Sequence, residues 1–392
     1  MARMPDKPHA LPLARNRTGR VVILTSLSLL ALGVVMVHSA TASVVEPGAW
    51  YARSTIRHMI FAAAAAMMLL VAWRVDYRRL IGGERNRPVV AGCLLALALI
   101  CAVLVFIPGI GRSVGNDFRW IRIGPSQYKI GLQPSELIKI ALPVFLAAWL
   151  ARAGADVRSF RKVFIPAMLL IAVCVGLVVT QDFGTAAIIG VSAVATLALA
   201  GAPWQYLMSL AAPAAGAFYV LVMRSPARWA RITAMMDVWS TSNPSAYQPR
   251  QSLLAILTGG WLGKGPGAGT LKLGYLPEDS TDFIFSALCE EWGFVGGAAL
   301  MGLWVVWICS AWQSALESGD RFGRLLAGSL GFMIVLQAIL HVAVDTVALP
   351  PTGISMPFVS AGGTSLLLTA AGAALIVSVS SRHNSPDLVE KI

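Results

Sequence analysis

Four polar clusters interrupt an otherwise apolar chain, and each has residue types capable of chemistry. In the first, Gln133-Pro134-Ser135-Glu136 is followed by Lys139. Pro134 suits the first turn of a helix, where its missing N–H costs nothing. Glu136 and Lys139, three apart, share a helix face and can pair. The pair reads either as a structural ion pair or as the polar floor of a site for a substrate head group. Upstream, Arg119-Trp120-Ile121-Arg122 interleaves cations with an aromatic, which suits contact with lipid phosphate and equally an interfacial anchor. The second cluster, Gln181-Asp182-Phe183-Gly184-Thr185, has turn-forming residues between two apolar stretches and reads first as a tight turn.

The third cluster runs Pro277-Glu278-Asp279-Ser280-Thr281-Asp282-Phe283 into a long apolar stretch. A carboxylate at a helix N-terminus is favoured by the helix dipole, so Asp282 reads as a cap or as a general base at a membrane surface. Glu290 and Glu291 follow, about 12–14 Å further along a helix axis. Two adjacent acids there face protein or water, either in a structural pairing or in a functional role. The fourth cluster is Leu349-Pro350-Pro351-Thr352-Gly353, with Pro357, Ser360 and Gly362-Gly363-Thr364-Ser365. Its small residues permit close helix packing, and also a re-entrant backbone lining a cavity. No P-loop, GxSxG elbow or HExxH motif occurs, and the five histidines lack metal-ligand spacing.

The elements that must position these clusters are membrane spans. The chain of 392 residues is 57% hydrophobic and only 13% charged, with mean hydropathy +0.70. Soluble domains carry roughly 25% charged residues, so too few are present here to cover a water-facing surface. A span needs about 20 apolar residues. On that basis ten spans are expected, near 21–43, 57–73, 89–107, 135–151, 163–180, 185–201, 206–223, 283–312, 325–347 and 358–380. The eighth is too long for one straight crossing, and one of its ends is expected in the interface. The apolar run after residue 20 is too long for a signal-peptide core, so it is read as an uncleaved span.

The net charge of +12 is read as orienting loops and attraction to anionic lipids, not as a nucleic-acid footprint. Lys and Arg concentrate in 1–20, 74–88 and 152–162 and recur at Arg321, Arg324, Arg382 and Lys391. This predicts both termini in the cytoplasm. The segments 108–134 and 224–282 then lie outside, and their basic residues suggest an anionic ligand. The five cysteines sit in apolar stretches without a CxxC pair and read as packers.

Taken in order, these motifs resemble the SEDS family (shape, elongation, division and sporulation; the FtsW/RodA/SpoVE group). The series is Arg119-Trp120, QPSE with Lys139, QDFGT, Ala246-Tyr247-Gln248 with Gln251-Ser252, Gly259-Gly260, LPEDSTDFIF, Glu290-Glu291-Trp292-Gly293 and LPPTGISMPFVSAGGTS. The resemblance runs from about residue 20 to 382 and frames a cytoplasmic tail 1–20, a transmembrane domain 21–382 and a cytoplasmic tail 383–392. It implies an all-α polytopic protein of ten helices with a large outer loop between helices 7 and 8.

The resemblance further implies a peptidoglycan glycosyltransferase that polymerises lipid II at the outer face of the bacterial cytoplasmic membrane. Its implied partners are a class B penicillin-binding protein, the division or elongation machinery and membrane lipids. Asp282 matches the family's essential aspartate. Arg119, Trp120, Glu136, Lys139, Arg231, Gln248, Lys272, Ser360, Gly362 and Gly363 are the implied substrate-binding residues. Arg119, Arg231, Lys139 and Lys272 could supply charge to a pyrophosphate leaving group, and a divalent cation such as Mg2+ could share that task. No protein-held metal site is expected.

Some positions depart from the family pattern. Gln181-Asp182-Phe183 stands where QPDLG is usual, His341 where asparagine is common, and Ala361 where tyrosine is frequent. The segment between Gly124 and Gln133 is a few residues longer than usual. The stretches Lys272–Glu278 and Arg119–Gly124 resemble FtsW members slightly more than RodA members. Two competing readings are a lipid II transporter, for which Glu290, Glu291 and His341 are candidate mid-membrane groups, and a non-catalytic scaffold that activates a penicillin-binding protein.

Overall fold

The computed structural model describes residues 16–41, 54–81, 88–107, 111–114, 117–122, 131–273 and 280–382. In chain order the helices are α1 (Arg17–Thr41), α2 (Ser54–Val71), α3 (Val89–Leu104), α4 (Pro134–Ala153), α5 (Phe160–Val179) and α6 (Phe183–Leu199). They continue with α7 (Trp204–Met223), α8 (Pro226–Met236), α9 (Tyr247–Gly259), α10 (Ile284–Leu316), α11 (Arg321–Asp345) and α12 (Gly363–Ser380). Eight of these are long and apolar enough to cross a membrane, and α3 and α6 are shorter apolar helices. Together they match the ten expected spans and make a multi-pass membrane protein. α8 and α9 lie within the long segment between α7 and α10.

α4 and α11 pack against each other at the centre, with α6, α3 and α12 around them, and α1 joins α10. The central pair is largely buried, whereas α7 is almost wholly exposed. Asn16 donates to the Ser380 hydroxyl at 2.9 Å, so the first helix begins and the last ends on one face of the bundle.

The opposite face carries the polar clusters. Between α3 and α4 the chain forms a small antiparallel sheet, β1 (Gly111–Val114), β2 (Asp117–Arg122) and β3 (Gly131–Leu132), in the order β1-β2-β3. Ile121 pairs with Gly111 on one side and Leu132 on the other. β2 thereby fixes Arg119 and Trp120 beside the start of α4. This sheet was not anticipated from the sequence.

Two boundaries differ from the sequence expectation. The last span was expected from residue 358, but the helix starts at Gly363, because the chain from 346 to 362 is non-helical, and it is buried at Ile354 and from Met356 to Ser360. Phe358 has φ +64° there, and the Ser360 hydroxyl accepts from Met356 N at 2.7 Å. Irregular backbone at such depth is tolerated only where protein satisfies it. Here Gln337 donates to the Ser355 carbonyl (2.7 Å), His341 Nδ1 to the Ile354 carbonyl (2.7 Å), and Ala361 N to the Ser280 carbonyl (2.9 Å).

The second difference lies in the eighth span. Its length is resolved by a break at Gly293 (φ 67°, ψ −166°), which divides α10 into a short outer piece and a long span. The break frees helical carbonyls and N–H groups. The loop after α9 takes them up: Lys264 N and Gly265 N donate to the carbonyls of Glu290 and Glu291 at 3.0 Å, and Phe294 N donates to the Gly260 carbonyl at 2.9 Å. The two backbones touch, and a Cβ on Gly293 would lie 2.3 Å from Gly263 N.

Gly293→Val should therefore destabilise the folded protein by at least ~2 kcal/mol, since its backbone region is essentially reserved for glycine. The check is thermal unfolding of the purified protein in detergent. An unchanged melting temperature would contradict the role given to this break.

Candidate functional site

Asp282 stands two residues before α10, half-buried, at the mouth of the bundle. It lines a cavity of about 290 Å³ with Arg119, Trp120, Glu136, Lys139, Gly353 and Gly362. Six of the expected site residues thus meet at one place: Asp282, Arg119, Trp120, Glu136, Lys139 and Gly362. Gly353 lies beside Asp282: a Cβ there would sit 3.4 Å from Asp282 Oδ2, an ordinary van der Waals contact.

The cavity floor is charged and fully engaged. Lys139 Nζ lies 2.5 Å from Glu136 Oε2 and donates to Gln337 Oε1 at 2.7 Å. Ser365 donates to Glu136 at 2.8 Å. Pro143, inside α4, removes the intrahelical donor that the Lys139 carbonyl would otherwise accept. Further along α11, His341 Nε2 is 3.6 Å from Asp345 Oδ2, and Asp345 accepts from Ser286 N at 3.0 Å in the first turn of α10. The Asp345 carbonyl accepts from Ser252 on α9 at 2.6 Å. Gln337, His341 and Asp345 form one polar stripe at four-residue spacing. It braces both segments flanking Asp282, the stretch 354–355 and the start of α10.

The remaining expected residues fall around this cavity. Ser360 donates to the Thr281 carbonyl at 2.6 Å, so it holds the residue next to Asp282. Gly363 lines a neighbouring cavity of about 190 Å³ with Arg57, His58, Phe61 and Trp120. Arg231 lines another, of about 290 Å³, which shares Arg119, Asp182 and Gly353 with the central one and adds Arg228. Arg231 donates to the Pro351 carbonyl at 3.5 Å. Gln248 is on α9 and lines none of these three cavities. The side chain of Lys272 and residues Pro277, Glu278 and Asp279 lie outside the described residues.

Three further acids are engaged by their own surroundings, Asp182 among them although it also lines the central cavity. Asp182 caps α6, accepting from Thr185 N (3.0 Å) and the Thr185 hydroxyl (2.8 Å). Glu290 accepts from Lys264 Nζ (2.5 Å), Thr270 N (2.9 Å) and Leu271 N (3.1 Å). Glu291 accepts from the Ser39 hydroxyl (2.5 Å) and Gly267 N (2.9 Å). Glu290 and Glu291 tie the loop after α9 to α10. Sequence reasoning passed over Gln337, Asp345 and Arg228, and took Ser365 only as one of the small residues of the fourth cluster. The signal available was spacing: Gln337, His341 and Asp345 recur every four residues on an apolar helix, and Arg228 and Arg231 share a face of α8.

Comparison with known proteins bears on this site. The model of a family described as "Cell cycle protein" (FTSW_RODA_SPOVE) matches residues 20–385. A probable peptidoglycan glycosyltransferase FtsW of Geobacter metallireducens is 35% identical over 372 residues, covering 94% of this chain and 96% of that protein. A protein of the same description from Halorhodospira halophila is 39% identical over 353 residues, covering 88% and 86%. Among solved structures, a chain from a study of polymerization and crosslinking by a peptidoglycan synthase complex superposes with TM-score 0.74 at 25% identity, covering 92% of this chain and 96% of that one. The rod shape determining protein RodA of Thermus thermophilus shares the fold, with TM-score 0.63 at 24% identity, covering 93% and 97%.

Breaking one member of a buried ion pair leaves an uncompensated charge and typically costs ~3–5 kcal/mol. Lys139→Met alone should therefore lower the melting temperature more than Lys139→Met combined with Glu136→Gln. Additive effects of the two substitutions would contradict a coupled pair.

Proposed function

The chain belongs to the FtsW/RodA/SpoVE family of cell cycle proteins, and from that premise we propose that it is a peptidoglycan glycosyltransferase that polymerises lipid II. The observation carrying this reading is the cavity that brings the Asp282 carboxylate together with Arg119 at the face opposite the chain ends. With the arginine-rich face in the cytoplasm, that cavity opens on the outer surface of the bacterial cytoplasmic membrane.

The reaction needs few groups. A sugar hydroxyl attacks the anomeric carbon of a second lipid II. Asp282 accepts the hydroxyl proton as the new C–O bond forms and the bond to the lipid pyrophosphate breaks. Displacement of an α-linked pyrophosphate to give a β linkage is a single inversion. One base then suffices, without the paired carboxylates of a glycoside hydrolase.

The leaving group is already good and needs positive charge more than a proton. Arg119 and Arg231, in adjoining cavities, are suited to that task. Lys139 supports the floor instead, its charge matched by Glu136. Trp120, Gly362 and Gly363 give a sugar an aromatic wall and close approach, and Ser360 steadies Thr281.

The described residues do not by themselves make a protein-built site for a divalent cation such as Mg2+. Among the described residues no three His, Cys, Asp or Glu side chains converge, and Glu136 and Asp182 are engaged by Lys139 and Thr185. The counter-charge in this proposal is arginine. A transport role draws no support from Glu290 and Glu291, which both bind the outer loop. A class B penicillin-binding protein is the proposed partner, consistent with the likeness to a chain of a synthase complex.

The test is glycan polymerisation from purified lipid II, with and without the cognate penicillin-binding protein. Wild type should give polymer, and folded Asp282→Asn should lose at least ~100-fold in rate, as expected for removing a general base. Equal polymer from both proteins would point to a scaffold role.

A further inference from the structure

On the face that carries the chain ends, Asp76, Arg78, Arg79, Arg152, Asp320 and Arg321 surround an open basin of about 710 Å³. Its two acids are already answered. Asp320 caps α11 through Gly323 N (2.7 Å), pairs with Arg78 (3.1 Å) and accepts from the Tyr77 hydroxyl. That hydroxyl is pushed up to about 12 by burial and by the Asp320 carboxylate, so it stays a donor at physiological pH. Asp76 pairs with Arg382 (3.5 Å) and accepts from Arg78 N (3.0 Å).

The remaining cations are not cancelled. Arg79 and Arg152 are exposed and have no side-chain partner among the described residues. Arg321 gives one N–H to the Ala200 carbonyl at 3.0 Å, which leaves its charge in place. The basin is therefore a concentration of guanidinium groups, the side chain best matched to phosphate.

Across the segment 75–81 lies an apolar groove of about 430 Å³ between α2, α3, α4 and α12. Leu137, Ala141 and Val144 of α4 line the groove, and Ala148 and Ala151 line the basin. Spacings of four, three, four and three residues put these five positions on one continuous helical stripe. The stripe runs from hydrocarbon depth to the end of α4, where Arg152 stands. On α3, Leu94 and Leu97 are exposed in the groove wall, at 42% and 54%. An apolar channel leading to a basic basin is complementary to an amphiphile with an anionic head.

We propose that basin and groove together bind an anionic phospholipid of the leaflet on the side of the chain ends. Its phosphate lies among Arg79, Arg152 and Arg321, and an acyl chain follows the α4 stripe. A zwitterionic lipid brings its own ammonium into a basin that is already basic, so it binds more weakly. The site is separate from the Asp282 cavity, and only the name of the leaflet, cytoplasmic, depends on the orientation proposed above.

The test is native mass spectrometry of the full chain titrated with dioctanoyl phosphatidylglycerol, dioctanoyl phosphatidylcholine and glycerol 3-phosphate. Wild type should prefer phosphatidylglycerol over phosphatidylcholine by about tenfold or more, consistent with attraction of anionic lipid to several basic side chains. Arg79→Gln with Arg152→Gln should abolish the preference, and Arg79→Lys with Arg152→Lys should keep most of it. Leu97→Trp, which fills the groove, should weaken both lipids and leave glycerol 3-phosphate unaffected. Equal binding of the two lipids by wild type, or a full preference in the folded glutamine variant, overturns the proposal. So does glycerol 3-phosphate binding as tightly as phosphatidylglycerol with no effect of Leu97→Trp, which would mark a site for soluble phosphate. Should the glutamine variant not fold, the wild-type preference and the lysine variant decide.

Discussion

Lys139 is 2% exposed inside a helix long and apolar enough to cross a membrane, and an ammonium there persists only with partners. Glu136 supplies the countercharge, Gln337 accepts from the ammonium, and Ser365 donates to Glu136 in turn. Those partners come from three helices, α4, α11 and α12. Satisfying one charge therefore fixes how three spans meet. The same glutamine turns its amide to the Ser355 carbonyl, so the pairing extends to the non-helical stretch before α12. A buried pair of this kind is weak evidence for added stability. Its consequence here is geometric, for it specifies which face of α11 looks toward the cavity.

The same logic governs the other irregular backbone. A bundle in lipid cannot leave carbonyls or N–H groups unmet. The break at Gly293 is matched by the loop after α9, and the stretch 354–361 by His341, Gln337 and Ser360. Of the two, the stretch 354–361 borders Asp282, whereas the break at Gly293 lies further along α10. The catalytic candidate thus sits beside a departure from helix that is locked by named hydrogen bonds. That arrangement keeps a carboxylate at a defined place on a surface without surrounding it, which an enzyme acting on a large lipid-linked sugar requires.

The spans were legible because hydropathy over about 20 residues is a strong signal. The site was legible in part. Glu136 with Lys139 follows from helical spacing, and the match of Asp282 to a family motif drew attention to the right end of α10. Three features were not legible, each for a physical reason. The β1–β3 sheet consists of very short strands whose pairing is set by tertiary context. The break at Gly293 is not declared by composition: Glu290 and Glu291 lower the hydropathy just before it, but a glycine's identity does not fix its φ. Phe358 takes a positive φ that a phenylalanine does not advertise, so the apolar run before Gly363 looked helical. For Glu290 and Glu291 the sequence left a structural pairing and a functional role open, and the structure shows their partners in the loop they anchor.

The central claim is that the polar stripe on α11 positions Asp282 through the segments that flank it. The most direct measurement is lipid II polymerisation by Gln337→Leu, alongside its binding of lipid II and its thermal unfolding. The account predicts a folded protein with near-normal lipid II binding and a polymerisation rate lower by about tenfold or more, since a small misplacement of a catalytic group has costs of that order. A folded variant that polymerises at the wild-type rate would contradict it.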